Sequence, residues 1–284
     1  MRNLPPPTSN PRALYEEIAQ LKGKRDTSKG ERLRGLREVV WRAYEQYERE
    51  KPHLERIRPL AAELTDEQQG DLRDCYKSRT DPLSRLRADI ISSSPRSCQY
   101  CTLEKVTDLD HYLPQKDFPE FSVLPINLVP SCGSCNTRRS WISHAGKRAL
   151  IHLYFDTIPQ DVRLLFAAVH LNAGVPQARF KVDVSGCADG AFAELYLEHV
   201  KTLKLLERYE REAVIDEAGI DDIRREVINH CSDLDADGIR TKLLGGARHE
   251  HLRLGPNHWK VALRYGLAES SDAVINWLRG FPCV

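Results

Sequence analysis

The chain has 284 residues, 41% hydrophobic and 29% charged, with a formal net charge of +1. That length and balance suit one to three domains of an ordinary soluble protein. No apolar run approaches the ~20 residues of a membrane span, and the N-terminal MRNLPPPTSNPR lacks the apolar middle region of a secretory signal, so the expected setting is cytoplasmic, with no membrane partner.

Residues 1–12 are Pro-rich and read as an extended arm. Over 28–51 the apolar positions Leu33, Leu36, Val40, Ala43, Tyr44 and Tyr47 recur at helical spacing, and Pro52 stops the run. Further helices are expected near 53–76 and near 82–91, the latter opened by Asp81-Pro82. SSSPRS at 92–97 is a loop leading into a cysteine-rich segment. Beyond that segment, 141–156 is expected to continue a helix into LIHLYFD, and 160–172 to form a buried helix. RFKVDV at 179–184 alternates like a strand, and a long helix follows near 191–213. Shorter helices are expected near 220–230, 236–244, 257–268 and 271–279. The fold class is mainly α: helical regions at 1–95 and 151–284 flank a small β-containing unit at 96–150.

Four of the eight cysteines form two CxxC pairs, Cys98/Cys101 and Cys132/Cys135, thirty residues apart. In a reducing compartment such pairs mean metal more often than disulfide, and four thiolates suit a closed, structural Zn²⁺. Cys75, Cys187, Cys231 and Cys283 are scattered and read as buried or free thiols. Between the pairs, KVTDLDHYL alternates like a strand and carries Asp110 and His111. Asn127 precedes a second short apolar stretch, and Asn136 follows the last cysteine at the start of a helix. Asp and Asn oxygens suit a hard divalent ion, Mg²⁺ or Mn²⁺, and a neutral imidazole can take a proton from water at pH 7. Arg138, Arg139, Lys147 and Arg148 make a local basic cluster that could contact nucleic acid.

The order CxxC, DHxxP, NLxxxCxxCN over 96–150 resembles the HNH endonucleases, also called ββα-metal or His-Me finger nucleases. The spacings of sixteen residues from His111 to Asn127, and nine from there to Asn136, fall where that family has them. The resemblance implies a β-hairpin followed by a helix. It implies His111 as general base, Asp110 and Asn136 as catalytic metal ligands, and Asn127 as the brace of the loop that orients His111. Arg139 stands where many such members have Lys. The implied activity is hydrolysis of phosphodiester bonds in DNA, with RNA as an alternative substrate. The phrasing DHYLPQKDFPEFSV…NLVPSC further resembles stand-alone bacterial HNH proteins that accompany an ATPase, such as the nuclease component of Septu-type anti-phage defence systems, and so implies an ATPase partner.

Two other readings of the same segment stay open. A zinc-ribbon-like adaptor would bind nucleic acid or protein without turnover, and a redox or metal sensor would use the CxxC thiols directly. DLDADG at 233–238 begins like a calcium loop, but Leu244 stands where the twelfth-position Glu should be. His249, His251 and His258 read as surface or helix-terminal residues, and Trp259, Ala262, Leu263 and Leu267 as the core face of a helix.

Overall fold

The computed structural model describes residues 1–77, 81–138, 140–215, 219–231 and 233–280. The chain divides into two compact units: residues 3–100 with 104–156, and residues 1–2 and 101–103 with 157–284. Both are predominantly helical, with one two-stranded antiparallel sheet in each among the described residues. No helix among those residues is long and apolar enough to cross a membrane.

The first unit opens with α1 (Pro11–Arg25), which the sequence reading passed over. Its start is nonetheless a strong local signal: Asn10 Oδ1 accepts from the amides of Arg12 and Ala13, and Pro11 occupies the first helical position. Asp26 ends α1 and caps α2 (Thr27–Gly35) through the Lys29 amide. The two helices meet at paired glycines. A Cβ on Gly30 would stand 2.4 Å from the Cα of Gly23, so the close approach needs glycine. The helix expected over 28–51 is interrupted at Leu36, beside Gly35, and resumes as α3 (Arg37–Glu50). The predicted apolar face holds across the break, with Leu33, Leu36, Val40, Ala43, Tyr44 and Tyr47 all buried.

Over 53–76 the expected helix is largely replaced by short 3₁₀ turns at Leu54–Arg56 and Leu60–Glu63, and α4 begins only at Asp66, ending at Lys77. Pro59 disfavours helix in the residue before it. A capping box sets the true start: Thr65 Oγ1 accepts from the Gln68 amide at 3.2 Å, and Gln68 Oε1 accepts from the Thr65 amide at 2.9 Å. Next come α5 (Asp81–Ser92), β1 (Asp108–His111), β2 (Leu128–Ser131) and α6 (Gly133–Arg138). β1 and β2 pair antiparallel with His111 opposite Leu128 and Asp108 opposite Ser131.

Residues 141–156 are not the expected helix. Ile142 bridges Arg148 across a turn in which Gly146 has φ +73°, and the rest is irregular. Ala149, Leu150, Ile151 and Leu153 are each at most 1% exposed. With His152 at 0% the buried run is five consecutive residues; a helix would turn some of them outward, whereas an irregular segment threaded through the unit buries all five.

In the second unit, 160–172 is also corrected from helix to strand. β3 (Leu165–Asn172) pairs with β4 (Val175–Val182) through a tight turn in which Ala173 and Gly174 both have positive φ, the two-residue hairpin geometry. A short apolar run is ambiguous between the two structures, and the hairpin partner decides it. The expected 191–213 helix breaks at Leu203–Lys204 into α7 (Gly190–Thr202) and α8 (Leu205–Ile215), with Lys204 at φ +50°. Then follow α9 (Ile220–His230), α10 (Ala236–Leu254), α11 (Trp259–Ala268) and α12 (Asp272–Leu278). α10 runs ten residues past its expected end. Within DLDADG, Asp235 caps α10 by accepting from the Gly238 amide at 2.8 Å. His258 caps α11, whose Trp259, Ala262, Leu263 and Leu267 are buried as expected.

Candidate functional site

The two CxxC pairs converge. Cys98, Cys101, Cys132 and Cys135 are all buried, and their ligand atoms lie within 4.8 Å of one another. Zn–S bonds of about 2.3 Å in a tetrahedron put sulfurs about 3.8 Å apart, so this cluster fits a four-thiolate metal site with small adjustment. Local structure supports it from both sides. A bridge between Ser97 and Lys105 and the Cys98 amide bond to Glu104 O close the first knuckle, with Thr102 at φ +59°. The second pair straddles the start of α6, where Cys132 O accepts from the Asn136 amide. The group can hold a structural metal such as zinc, and the tie it makes runs between the two ends of the β1–β2 segment.

Asp110, His111 and Asn136 line one cleft of about 480 Å³, together with Asp117, Gln115 and Trp141. Neighbours on a strand face opposite ways, yet Asp110 and His111 share this cleft because β1 ends at His111. His111 is 8% exposed, and its Nε2 stands 2.9 Å from the carbonyl oxygen of Ser122. A carbonyl only accepts, so Nε2 carries the hydrogen and the neutral ring keeps its lone pair on Nδ1. The Tyr76 ring and the imidazole meet in a T-shaped contact, with centroids 4.3 Å apart and planes at 80°. Tyr76 itself is pinned on β1 by donating to Leu109 O at 3.1 Å, with the Arg87 guanidinium 4.4 Å over its ring. Burial holds the Tyr76 phenol above its ordinary pKa, so it stays a donor.

Asn127 is fully buried and uses both ends of its amide. Oδ1 accepts from the Leu113 amide (2.9 Å) and the Tyr47 hydroxyl (3.3 Å), and Nδ2 donates to Leu113 O (3.1 Å) and Phe121 O (3.3 Å). It therefore ties the chain just after His111 to the turn that presents Ser122. Tyr47 also accepts from His152 Nε2 at 3.2 Å, while His152 Nδ1 faces the Tyr154 amide. Tyr154 donates to Leu128 O, directly opposite His111 in the sheet. These supports lie far away in sequence, and no motif marked them.

The basic cluster divides. Arg139 and the side chain of Arg138 lie outside the described residues. Lys147 is exposed on the turn closed by Ile142 and Arg148. Arg148 corrects its sequence reading as a nucleic-acid contact: its side chain is 11% exposed and forks onto Asp156 at 2.8 and 2.9 Å. Burial pulls its pKa down, but the Asp156 fork outweighs that, so the guanidinium stays charged inside the unit. His144 is exposed on the same turn, not on a helix.

Chemically, the cleft combines a base-competent imidazole with carboxylate and amide oxygens, the donor set of a hard divalent ion. No family model matches the chain, and no solved structure matches it. It is similar to Protein ea31 of Escherichia phage lambda, 28% identical over 216 residues, covering 72% of this chain and 71% of that protein.

Proposed function

We propose that this protein is a metal-dependent HNH-type endonuclease that hydrolyses phosphodiester bonds in DNA. The observation that supports it most is the shared cleft of Asp110, His111 and Asn136, with the His111 ring held by the Ser122 carbonyl. In this reading Nδ1 of His111 takes a proton from the attacking water. The carbonyl at Nε2 stabilises the imidazolium that results. Asp110 and Asn136 would hold Mg²⁺ or Mn²⁺, which when bound stabilises charge on the phosphate and the departing oxygen. Asn127 is a positioning residue that keeps the His111 loop in place. Lys147, Arg138 and Arg139 are proposed to contact the nucleic-acid backbone, and Arg148 no longer belongs to that set. An ATPase partner and a role in anti-phage defence rest on the phrasing of residues 110–132 alone, and co-purification from the native host tests them.

The test of the reaction is cleavage of DNA and RNA oligonucleotides with Mg²⁺ or Mn²⁺. His111→Ala should keep its fold and zinc and lose cleavage. Affinity without turnover under any divalent ion would support the adaptor reading instead.

A further inference from the structure

Trp141 lines the same cleft as Asp110, His111 and Asn136 but has no part in the proposed chemistry. It is partly exposed, unlike the core tryptophan Trp259 at 2%. Its indole is also firmly mounted. The ring meets Phe118 edge-on at 5.5 Å and 82°, Phe118 is buried and stacks on Phe121 at 6.1 Å, and Phe121 packs against Tyr47 at 5.2 Å. The backbone is fixed as well, because Trp141 O accepts from the Ala149 amide at 2.8 Å and Ser140 Oγ donates to Ile142 O at 2.6 Å. The Arg148–Asp156 fork clamps the far end of the turn.

An indole held this way, with area left open to a cleft, is a stacking surface. The cleft volume of about 480 Å³ is that of a site for one small molecule or nucleotide. Its remaining neutral polar lining, Gln115 and Ser140, can meet a base edge. With Asp110 given to the proposed metal beside the scissile phosphate, the remaining carboxylate, Asp117, disfavours a second phosphate in the cleft, so the flat, uncharged part of a nucleotide suits the Trp141 side.

We propose that Trp141 is the stacking platform for one unpaired nucleobase beside the scissile phosphate, and that the substrate class is therefore single-stranded or locally unpaired DNA. The proposal rests on the nuclease reading above. In a duplex each base has neighbours on both faces, so it reaches the indole only after leaving the stack. Single strands meet an aromatic platform without that cost, and the contribution of one stacked base corresponds to about 5- to 150-fold in affinity.

The test is anisotropy binding of a labelled single-stranded oligonucleotide and its duplex to the full-length His111→Ala protein in Mg²⁺, so that nothing is cut. Single strand should bind more tightly than duplex. Adding Trp141→Ala or Trp141→Leu should weaken single-strand binding about 5- to 150-fold and leave duplex binding unchanged, while Trp141→Phe keeps most of the affinity. The leucine variant fills space without an aromatic face, and thermal unfolding with zinc content checks that each variant is folded. Unchanged single-strand affinity in folded Trp141→Leu overturns the platform. A separate arm assays cleavage by the parent protein. If it cuts and Trp141→Leu cuts single strands equally well, the nuclease stands and the platform falls. If single-strand binding depends on Trp141 but the parent cuts nothing, the platform stands and the nuclease reading falls.

Discussion

His111 Nε2 lies 2.9 Å from the carbonyl oxygen of Ser122, and this contact decides which ring nitrogen can accept a proton. The carbonyl belongs to a turn that Asn127 ties to Leu113, two residues past His111. Tautomer, ring orientation and loop geometry are therefore set together. Replacing His111 with Ala should slow oligonucleotide cleavage by about 10²-fold or more, with zinc content and circular dichroism unchanged. Cleavage at the parental rate would remove His111 from the mechanism.

Asn127→Ala should act through structure. It leaves the Leu113 amide and two buried carbonyls, those of Leu113 and Phe121, without this partner. The loss should be about 2 kcal/mol or more, lowering Tm by about 4–8 °C. Cleavage should fall even at temperatures where the variant is folded, because the His111 ring loses its brace. A variant with parental Tm would show that the amide is dispensable.

Metal content offers an independent check. About one zinc per chain should co-purify, and Cys132→Ser should lose it. Structural zinc contributes on the order of 10–16 kcal/mol in small domains, so the variant should lose the ordered β1–β2 unit, seen as protease sensitivity between residues 96 and 138. Full zinc occupancy in Cys132→Ser would argue against a four-thiolate site.

Arg148 distinguishes a structural charge from a nucleic-acid contact. Its partner Asp156 also accepts from the His152 amide at 2.6 Å, and both charged side chains are nearly buried. Arg148→Ala leaves the Asp156 carboxylate uncompensated and should cost about 3–5 kcal/mol of stability. Had Arg148 served the nucleic acid, Tm would hold and only affinity would drop. Thermal unfolding beside oligonucleotide binding separates the two.

Glu120, on the turn leading to Ser122, gives a pH test. It is 2% exposed, and burial holds its carboxyl above the ordinary carboxylate pKa despite a hydrogen bond from the Leu60 amide. With the folded value raised, the native state binds more protons than the unfolded state across that window. Stability therefore falls as pH rises from about 4.5 through the folded pKa. Glu120→Gln keeps an acceptor for Leu60 and cannot ionise. It should unfold at a higher temperature than the parent at pH 7–8, with the difference shrinking toward pH 4.5. A gain that stays constant with pH would assign the effect to something other than this carboxyl.

Local signals in this chain were readable without a fold. The CxxC spacing, the apolar face from Leu33 to Tyr47, the Asp81-Pro82 start of α5 and the buried face of α11 all follow from residues within a few turns of each other. The ordering of Asp110, His111, Asn127 and Asn136 relative to the two CxxC pairs was visible in the same way. Long-range partners were not. The run 165–172 is a strand because β4 folds back on it and because Gly266 of α11 lets the Ala167 carbonyl approach to where a Cβ would be only 2.3 Å away. Tyr76 reaches His111 from 35 residues away, Tyr47 reaches Asn127 from 80 and His152 reaches Tyr47 from 105, and Arg148 is claimed by Asp156. Periodicity and spacing report which faces are apolar and which ligands are near one another along the chain. Which buried polar group satisfies which other is settled by packing in three dimensions, where a partner distant in sequence costs no more to reach than a neighbour.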